Sequence, residues 1–510
     1  MRFPGLLNPF VPPEQLRPGS PAATRDLALD VLFDAVAARF PDAGLPETLR
    51  LPCADERTVR WRQEVFADLA VDALAASVRG FYEAMAVVQR HRRLVERLRS
   101  REQRHGWALT AVLEYCRAVE ALRDGLEGAS VASPALRSLA TYLADHTASP
   151  EFGRLVGRAR ELRAALERVE FAVLVRGPRV TVGDYDGEPD YGAVVTEVFD
   201  RLRDEAREPV SARLAPAGAE MDHVEAQIVG LVGRLHPELF AELEQFCLQH
   251  EDFVDTTLAQ VAADLVFFLA VDGFYAPLRA AGLAVCLPRL LPAEDRRLRA
   301  DAVFDAALAH RLVHEGQPVV CSDLHLDPGE RIVVVTGPNQ GGKTTFARSI
   351  GQLHHLAMLG CPVPAAAAEL CPVDAVLTHF EVAPDPQDLA GGLMDDLQRV
   401  REVLSAATSA SLLVFNEVFS STSLLDATAL SEAVLRRLAA RGSLAVWVTF
   451  IPELVEAAAG TVSMASDVDP ADVSHRTFRM TRRPPNERAY ADALAARYEL
   501  GYDQVRARLA

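Results

Sequence analysis

A glycine-rich segment in the last third of the chain carries residues suited to holding phosphate. It contains Lys343, the only lysine among the 53 lysine and arginine residues. A compact ammonium ion fits between two phosphates, whereas a planar guanidinium would collide with a tight loop. The spacing is that of a phosphate-binding loop and predicts a nucleotide site made of Gly337, Pro338, Asn339, Gln340, Gly341, Gly342, Lys343, Thr344 and Thr345.

The flanking sequence supplies the elements that this loop needs. Residues 331–336 form a β-branched run typical of a buried strand, and residues 344–359 repeat apolar side chains at helical spacing. Glycines let backbone amides face a phosphate, and the helix N-terminus adds partial positive charge. The Thr344 hydroxyl is suited to ligating Mg²⁺.

A second element of a nucleotide site follows about seventy residues after the loop, in the usual order of such motifs. Residues 411–415 predict an apolar strand that ends at Asn416 and Glu417. Carboxylates that coordinate magnesium and orient the attacking water normally stand at this place. Another predicted strand, residues 444–449, ends at Phe450.

Composition limits the class of protein. With 510 residues, 49% of them hydrophobic, the chain can bury more than one core. No uninterrupted apolar stretch reaches the about 18 residues that span a bilayer, and the first residues lack the apolar core of a signal peptide. We therefore expect a cytoplasmic protein without a membrane segment.

Cysteines and histidines offer no metal site at the sequence level. The seven cysteines are scattered singly without a Cys-x-x-Cys pair, which favours buried free thiols. His354 and His355 have no carboxylate at ligand spacing. One packed and one exposed histidine is the expectation for this pair.

Charge is distributed unevenly. The net charge of −18 argues against a surface that binds nucleic acid everywhere. Residues 90–104 are the exception, with seven arginines against two glutamates. A solvated helix face explains such a run as well as DNA binding does. The candidate DNA contacts in this run are Arg92, Arg93, Arg97 and Arg99.

The composition and hydrophobic periodicity of the sequence divide the chain into three parts. Residues 1–165 carry repeated helical spacing. Residues 166–299 begin with a predicted hairpin, continue as long helices interrupted near His236 and Pro237, and end in a predicted linker at 287–299. Residues 300–510 hold the phosphate loop and alternate predicted strands with helices, which indicates an α/β domain.

Residues 300–510 resemble the ATPase domain of the MutS mismatch-repair family. The family loop reads TGPNMGGKST, and this chain has TGPNQGGKTT at 336–345. Residues 360–365 are similar to the family's GxxVPA, residues 416–424 to its DEIGRGTST, and residues 489–501 to its terminal helices. The resemblance implies a multidomain protein: an α-helical N-terminal core and lever region with a small β hairpin, followed by an α/β P-loop ATPase domain of MutS/ABC type.

The resemblance also implies cofactors and a partner. They are ATP with Mg²⁺ and a second copy of the chain, joined through the ATPase domains as a homodimer. The family's partner-facing signature, STFMxEM, is matched in part at residues 391–397, which makes Gly391, Gly392, Met394 and Asp396 the predicted signature residues. The space upstream is short and shows no Phe-x-Glu wedge near its start, so we expect a compact member without an evident mismatch-recognition domain.

Two departures from the family bear on catalysis. Asn416 stands where the family has a magnesium-holding aspartate, so we expect weak magnesium binding through Thr344 and Asn416. Phe450 stands where the family has a histidine and cannot donate a hydrogen bond to a phosphate. Glu417 and Lys343 are retained as the predicted catalytic residues, and slow ATP hydrolysis follows.

Two functions fit these observations. One is an ATP-gated dimer that engages DNA in repair or recombination control, favoured by the arginine run. The other is a nucleotide-dependent dimerisation module, or a degenerate ATPase, that acts on a protein partner without binding DNA. Glycine at position 391, in place of the family's serine, and the acidic net charge favour the second.

Overall fold

The structure is a computed structural model with side chains. It describes residues 3–10, 16–41, 43–53, 55–176, 179–187, 223–292, 295, 297–381, 392–468, 476–485 and 506. The helices in this part are α1 (Pro21–Asp26), α2 (Leu29–Ala37), α3 (Leu45–Leu49), α4 (Glu56–Leu69), α5 (Asp72–Arg97), α6 (Arg101–Glu127), α7 (Pro134–Thr147), α8 (Pro150–Glu167), α9 (His223–Leu235), α10 (Pro237–Gln249), α11 (Thr256–Ala280), α12 (Ala306–His314), α13 (Lys343–Met358), α14 (Gly392–Ala406) and α15 (Leu424–Arg441), with a 3₁₀ helix at Pro452–Glu456.

The strands follow the same order along the chain. They are β1 (Phe171–Arg176), β2 (Arg179–Asp184), β3 (Arg289–Leu290), β4 (Leu298–Val303), β5 (Ser322–Leu326), β6 (Ile332–Thr336), β7 (Ala367–Leu370), β8 (Val376–Phe380), β9 (Leu412–Asn416), β10 (Leu444–Val448), β11 (Thr461–Val468) and β12 (Arg476–Arg482). The expected sequence of helices, a small hairpin and then an α/β region is confirmed at this level.

The chain divides into two compact units. We call residues 1–3, 71–131 and 136–262 the helical unit, and residues 4–70, 132–135 and 263–510 the sheet unit. The predicted boundaries after residues 165 and 299 do not coincide with these units. The segment 4–70 belongs with the phosphate loop because its helices are part of the core around that loop.

The helical unit contains a long antiparallel helix pair. Helices α5 and α6 are joined by three residues, and the Ser100 hydroxyl caps α6 by accepting from the Gln103 amide at 3.3 Å. Gly125 permits their close approach, because a Cβ there would lie 2.4 Å from the Ser77 hydroxyl oxygen. At about 1.5 Å per residue, each helix extends for roughly 40 Å.

The core of the sheet unit is a six-stranded sheet. Its order is β12-β11-β6-β10-β9-β8, with every neighbouring pair parallel except the edge pair of β12 and β11. Every residue of β6, β9 and β10 is buried, as their continuous apolar sequence predicts. Parallel strands end together, so the last residues of β6, β9 and β10 meet at one edge.

The predicted linker at 287–299 is wrong in part. Arg289–Leu290 and Leu298–Val303 are strands of a four-stranded sheet with order β3-β7-β4-β5. Charged side chains concealed this pairing in the sequence. In β4, exposed Arg299 lies between buried Leu298 and Ala300. This alternation is typical of a strand with one buried and one solvent-exposed face.

Helix α13, which follows the phosphate loop, is buried along most of its length. The N-terminal segment covers it closely, since a Cβ at Gly351 would lie 2.5 Å from the Leu27 side chain. The Gln352 amide donates to the Leu27 carbonyl at 2.9 Å, and the Arg62 guanidinium donates to the Leu359 carbonyl just beyond the helix at 2.9 Å. These bonds satisfy polar groups that would otherwise be buried without partners.

The expectation of one packed and one exposed histidine is wrong, because both side chains on α13 are buried. His354 lies within hydrogen-bonding distance of the Ile350 carbonyl at 2.9 Å, and His355 of the Leu49 carbonyl at 2.9 Å. Burial lowers the pKa of each imidazole to about 4. Within the part of the chain that is described, no group of three or more potential ligands surrounds a metal position.

One described helix, α11, is long and apolar enough to cross a membrane by length and composition alone. Most of its apolar window is buried inside the protein, with 61% of that window inaccessible. A core helix of a folded domain meets the same criterion. Asp264, in the middle of this helix, is buried and accepts from the Leu6 amide at 2.9 Å.

Stability should fall in mild acid because of His354 and His355. Their folded-state pKa of about 4 lies below the ordinary 6.5, so the unfolded chain takes up protons that the folded chain excludes. The contribution is complete above pH 6.5 and is lost as the pH falls toward 4. Between pH 7.5 and 5.5 the two groups should together cost about 2.5 kcal/mol.

Urea unfolding at the two pH values measures this loss. The double variant His354→Gln, His355→Gln should show a pH dependence smaller by about that amount, whatever its absolute stability. The exposed His314, replaced by Gln, is the matched control for the loss of a histidine at the surface. An unchanged pH dependence in the double variant would contradict the assignment.

Candidate nucleotide-binding site

The phosphate loop connects the buried strand β6 to helix α13. Gly337 has φ of 142° and Gly342 has φ of 94°, a region that side chains disfavour. A Cβ at Gly342 would also lie 2.7 Å from the Phe478 carbonyl oxygen. The loop therefore needs glycine at both positions for conformation and for space, since a Cβ at Gly337 would lie 2.8 Å from the Ser466 Cβ. The predicted strand, loop and helix are all observed.

Lys343 is the first residue of α13, and its side chain is only 4% exposed. Its ammonium group donates to the Gly337 carbonyl at 2.7 Å and lies 3.4 Å from the Asn339 amide oxygen. The Glu417 carboxylate is 3.6 Å away. The loop thus holds one cation against its own backbone.

Thr344 joins the loop to the second predicted element. Its hydroxyl donates to the Asn416 side-chain oxygen at 2.9 Å. Asn416 is the last residue of β9, which is separated from β6 in the sheet by β10. Two oxygens brought together in this way fit Mg²⁺, which prefers oxygen ligands. Thr344 and Asn416 are the residues that would hold it.

Glu417 turns away from the end of β9 with φ of 54°. Its amide donates to the Val448 carbonyl at 3.0 Å, which fixes the turn against β10. A positive φ in a non-glycine residue costs about 1–2 kcal/mol and is found at functional positions. The turn directs the carboxylate toward Lys343.

A cavity of about 500 Å³ opens beside the loop. The polar part of its lining comes from residues 340–345 and Glu417. The rest is largely apolar and is formed by Leu308, Leu312, Pro318, Val319, Val320 and Phe478, with Asp305 and Gln317 completing the lining. This size and mixture fit a cofactor with a charged and an apolar end.

Asp305 and Phe478 are two of the lining residues that sequence reasoning missed. The Asp305 carboxylate accepts from the Leu308 amide at 3.0 Å and from the Gln352 side chain at 2.8 Å. An aspartate before an alanine-rich run is a signal for a helix N-cap, so the capping role of Asp305 can be predicted from the sequence. Its position at the cavity cannot. Phe478 comes from β12 at the sheet edge and carries no sequence signal.

The predicted signature residues have different surroundings. Gly391 lies outside the described residues, and Gly392 is the first residue of α14. The Met394 side chain is 68% exposed. Asp396 instead contacts its own chain, with its carboxylate 3.2 Å from the imidazole of the buried His379 on β8. That contact ties α14 to the strand next to β9.

Phe450 follows strand β10 and is 40% exposed. It has no side-chain donor for a phosphate. The neighbouring Thr449 is buried and accepts from the Ile451 amide at 3.0 Å, so its hydroxyl is used within the turn.

The four candidate DNA contacts belong to the helical unit. Arg92, Arg93 and Arg97 lie in the last turns of α5, and Arg99 lies in the connection to α6. All are exposed except Arg92, which is half-buried. Within the described residues none of the four pairs with a carboxylate, whereas Arg101 pairs with Glu244. They form a run of uncompensated positive charge and do not line the nucleotide cavity.

A family comparison agrees with this geometry. Residues 333–482 match the family model for MutS domain V. The matched range includes the phosphate loop, Thr344, Asn416 and Glu417. It ends at the last residue of β12, so it covers most of the six-stranded sheet.

Replacing Lys343 should abolish nucleotide binding without unfolding the protein. Lys343→Ala should weaken ATP binding at least about 100-fold, since it removes a charge-assisted contact to phosphate. Lys343→Arg should also lose ATP binding, because the planar guanidinium does not fit within the tight loop. Isothermal titration gives the affinities and circular dichroism checks the fold.

Chemical labelling tests the same site independently. Amine reagents should modify only Lys343 and the N-terminus, and ATP should protect Lys343. Labelling of Lys343 that is indifferent to ATP, together with unchanged affinity in both variants, would disprove the site.

Proposed function

We propose that this chain, a MutS-like protein, binds ATP with Mg²⁺, hydrolyses it slowly, and as an ATP-bound homodimer engages DNA in repair or recombination control. The observation that carries the proposal is the convergence of Lys343, Thr344, Asn416 and Glu417 at one end of the sheet. These residues come from two segments about seventy positions apart and have complementary roles in phosphoryl transfer.

Binding of ATP is supported by the loop and the cavity together. Backbone amides at the start of α13 and the buried Lys343 ammonium provide positive potential for phosphates. The apolar wall around Leu312 and Val320 provides a surface for the base. Phosphate oxygens would replace the Gly337 carbonyl as the main partner of Lys343.

Hydrolysis is supported by the position of Glu417. Its carboxylate can accept a hydrogen bond from a water and aim it at the terminal phosphate. Bound Mg²⁺ supplies charge neutralisation at the phosphate oxygens, and Thr344 and Asn416 are the residues to hold it. Asn416 is neutral, and a hydrogen bond from a neutral group contributes about 1 kcal/mol against 1.5–3 for a charged one. Slow turnover follows.

A homodimer is supported by exposed apolar side chains at the starts of two helices. Met394 near the start of α14 is 68% exposed, and Leu425 at the start of α15 is 81% exposed. Leu424 beside it is also exposed. Large apolar side chains in solvent mark surfaces that another molecule covers.

Engagement of DNA is supported by the arginine run at the end of the α5–α6 pair. Within the described part, Arg93, Arg97 and Arg99 are exposed and not paired with carboxylates. Phosphates could therefore bind them without first breaking ion pairs.

A second function is favoured by a different set of observations. Asn416 lacks the negative charge of the family's aspartate, Phe450 lacks the hydrogen-bond donor of the family's histidine, and the net charge of −18 opposes DNA binding. A nucleotide-dependent dimerisation module acting on a protein partner would need ATP binding but neither fast hydrolysis nor DNA. The two functions differ in the outcome of the following experiments.

Restoring the family residues should accelerate hydrolysis. The double variant Asn416→Asp, Phe450→His should raise kcat about tenfold, because a charged magnesium ligand and a γ-phosphate donor are regained. Glu417→Gln should bind ATP normally, nearly stop hydrolysis and prolong the ATP-bound dimer. Phosphate release and size-exclusion chromatography with ATP measure the two effects.

The matched control is Glu432→Gln, because Glu432 pairs with Arg436 on the surface of α15. It should change neither rate nor dimer lifetime. If the double variant is no faster and Glu417→Gln behaves like the control, the protein is a binding module and not an ATPase.

Replacing Arg92, Arg93, Arg97 and Arg99 together with glutamine should remove most DNA affinity. The slope of log affinity against log salt should also become shallower by up to about 3.6, since each of four phosphate contacts contributes about 0.9. Fluorescence anisotropy on duplex, branched and single-stranded DNA, with and without ATP, measures both quantities.

Arginines of the same unit that already pair with glutamates provide the control. Replacing Arg117, Arg158, Arg160 and Arg163 by glutamine makes the same change in net charge. It should cost much less affinity. Equal losses would indicate a general charge effect, and a parent protein that binds no DNA would favour the protein-partner function.

A further inference from the structure

A hydrogen bond joins the segments that follow strands β8 and β9 beside the nucleotide site. The Ser420 hydroxyl donates to the Glu381 carboxylate at 2.5 Å. Ser420 follows Glu417 by three residues, and Glu381 comes directly after β8. The Glu381 amide also donates to the carbonyl of Asn416, the last residue of β9, at 3.2 Å. The Glu381 side chain therefore reaches Ser420 from a backbone position that is fixed on β9.

The turn at residues 417–420, which we call the Glu417 turn, has an unfavourable backbone conformation. Glu417 has φ of 54° and Phe419 has φ of 63°, left-handed values that residues with a side chain disfavour. The family segment DEIGRGTST has glycine at the position of Phe419 and arginine at the position of Ser420. A glycine would adopt the left-handed conformation without strain. In this chain other contacts must hold the turn instead.

Contacts at the start, middle and end of the Glu417 turn restrain it. The Glu417 amide donates to the Val448 carbonyl at 3.0 Å. The Phe419 side chain is fully buried in the core of the sheet unit. At the end of the turn, half-buried Ser420 is bonded to exposed Glu381. This last contact joins two polar side chains near the surface, so it can be removed without opening the core.

We propose that Glu381 is a positioning residue for ATP hydrolysis, because its bond to Ser420 fixes the turn that directs the Glu417 carboxylate. That carboxylate lies 3.6 Å from Lys343 in the present arrangement. A group that orients a reacting water must be held closely in place, since a small displacement lowers the rate steeply. The inference rests on the proposed hydrolysis of ATP. It adds a residue that the sequence motifs do not mark.

Two other roles for Glu381 make different predictions. A carboxylate acting directly on water or Mg²⁺ would need its negative charge, and the Ser420 hydroxyl would not matter. A bond that only stabilises the surface would affect unfolding but not kcat. A positioning role needs an acceptor oxygen, which glutamine retains and alanine lacks. Glu381→Gln should therefore keep most of the activity that Glu381→Ala and Ser420→Ala lose.

The test measures kcat and KM for ATP hydrolysis in the parent and five variants. The variants are Ser420→Ala, Glu381→Ala, Glu381→Gln, the double variant Ser420→Ala with Glu381→Ala, and the control Thr408→Ala. Thr408 is matched because its hydroxyl also donates to a carboxylate at 2.5 Å, that of Asp374. This pair precedes β8 and β9, so it lies at the opposite end of the same two strands.

Each single alanine variant at Ser420 or Glu381 should lower kcat about tenfold, the effect of one hydrogen bond to a charged group. KM should stay within about twofold of the parent, because the phosphate loop is unchanged. The double variant should be no slower than either single variant, since both remove the same bond. Glu381→Gln and Thr408→Ala should remain close to the parent.

Hydrogen exchange of the protein without nucleotide gives a second readout that does not depend on hydrolysis. A peptide covering residues 417–423 should exchange faster in Ser420→Ala and in Glu381→Ala, because the turn opens more often without the bond. The same peptide should exchange at the parent rate in Glu381→Gln and Thr408→Ala.

Two results would overturn the inference while leaving ATP hydrolysis intact. One is unchanged kcat and unchanged exchange in both single alanine variants. The other is a Glu381→Gln protein as slow as Glu381→Ala together with a Ser420→Ala protein close to the parent, which would assign the carboxylate a direct chemical role. Failure of the proposed function is separate, since the parent and the Thr408→Ala control would then hydrolyse no ATP. The exchange experiment would still decide whether Glu381 holds the Glu417 turn.

Discussion

The burial of helix α13 is the constraint on which the nucleotide site depends. This helix starts at the phosphate loop, and all but a few of its residues are inaccessible to solvent. The sheet lies on one side, and the N-terminal segment supplies Leu27, Leu49 and Arg62 on others. Since interiors are close-packed, the helix cannot shift without disturbing several of these contacts. Its first residue, Lys343, is therefore fixed in position before any ligand arrives.

The segments around the start of α13 contain residues with strained backbone conformations. Among the described residues, six that are not glycine have positive φ, and three of these, Gln340, Glu417 and Phe478, line the nucleotide cavity. Gln340 lies in the phosphate loop, Glu417 follows the end of β9, and Phe478 lies within β12. The surrounding hydrogen bonds, such as that from the Glu417 amide to Val448, offset the cost of these turns.

The polar groups of the site contact one another in pairs, and a ligand must break these contacts in order to bind. Lys343 faces the Gly337 carbonyl and Glu417, and the Thr344 hydroxyl is bonded to Asn416. These pairs keep buried polar atoms satisfied without a ligand, which stabilises the site but leaves little net positive charge. Because Asn416 stands where a carboxylate could, the pair that it forms with Thr344 is neutral. The net charge of −18 belongs to the whole chain and does not determine the charge at this site.

The sequence by itself determined the elements whose signals are local. The spacing of the loop, the β-branched strand before it and the apolar strands predicted at 411–415 and 444–449 all follow from short-range patterns, and the observed strands match them to within one residue at each end. The tertiary structure decided what distant segments contribute: Asp305 and Phe478 at the cavity, His379 against Asp396, and the Leu49 carbonyl beside His355. The charged residues of β4 resemble a linker in the sequence, and one of His354 and His355 was expected to be exposed, because burial depends on what packs against a segment from far along the chain. Local periodicity reports the conformation of a segment, whereas contacts across hundreds of residues are set by the packing of the whole core.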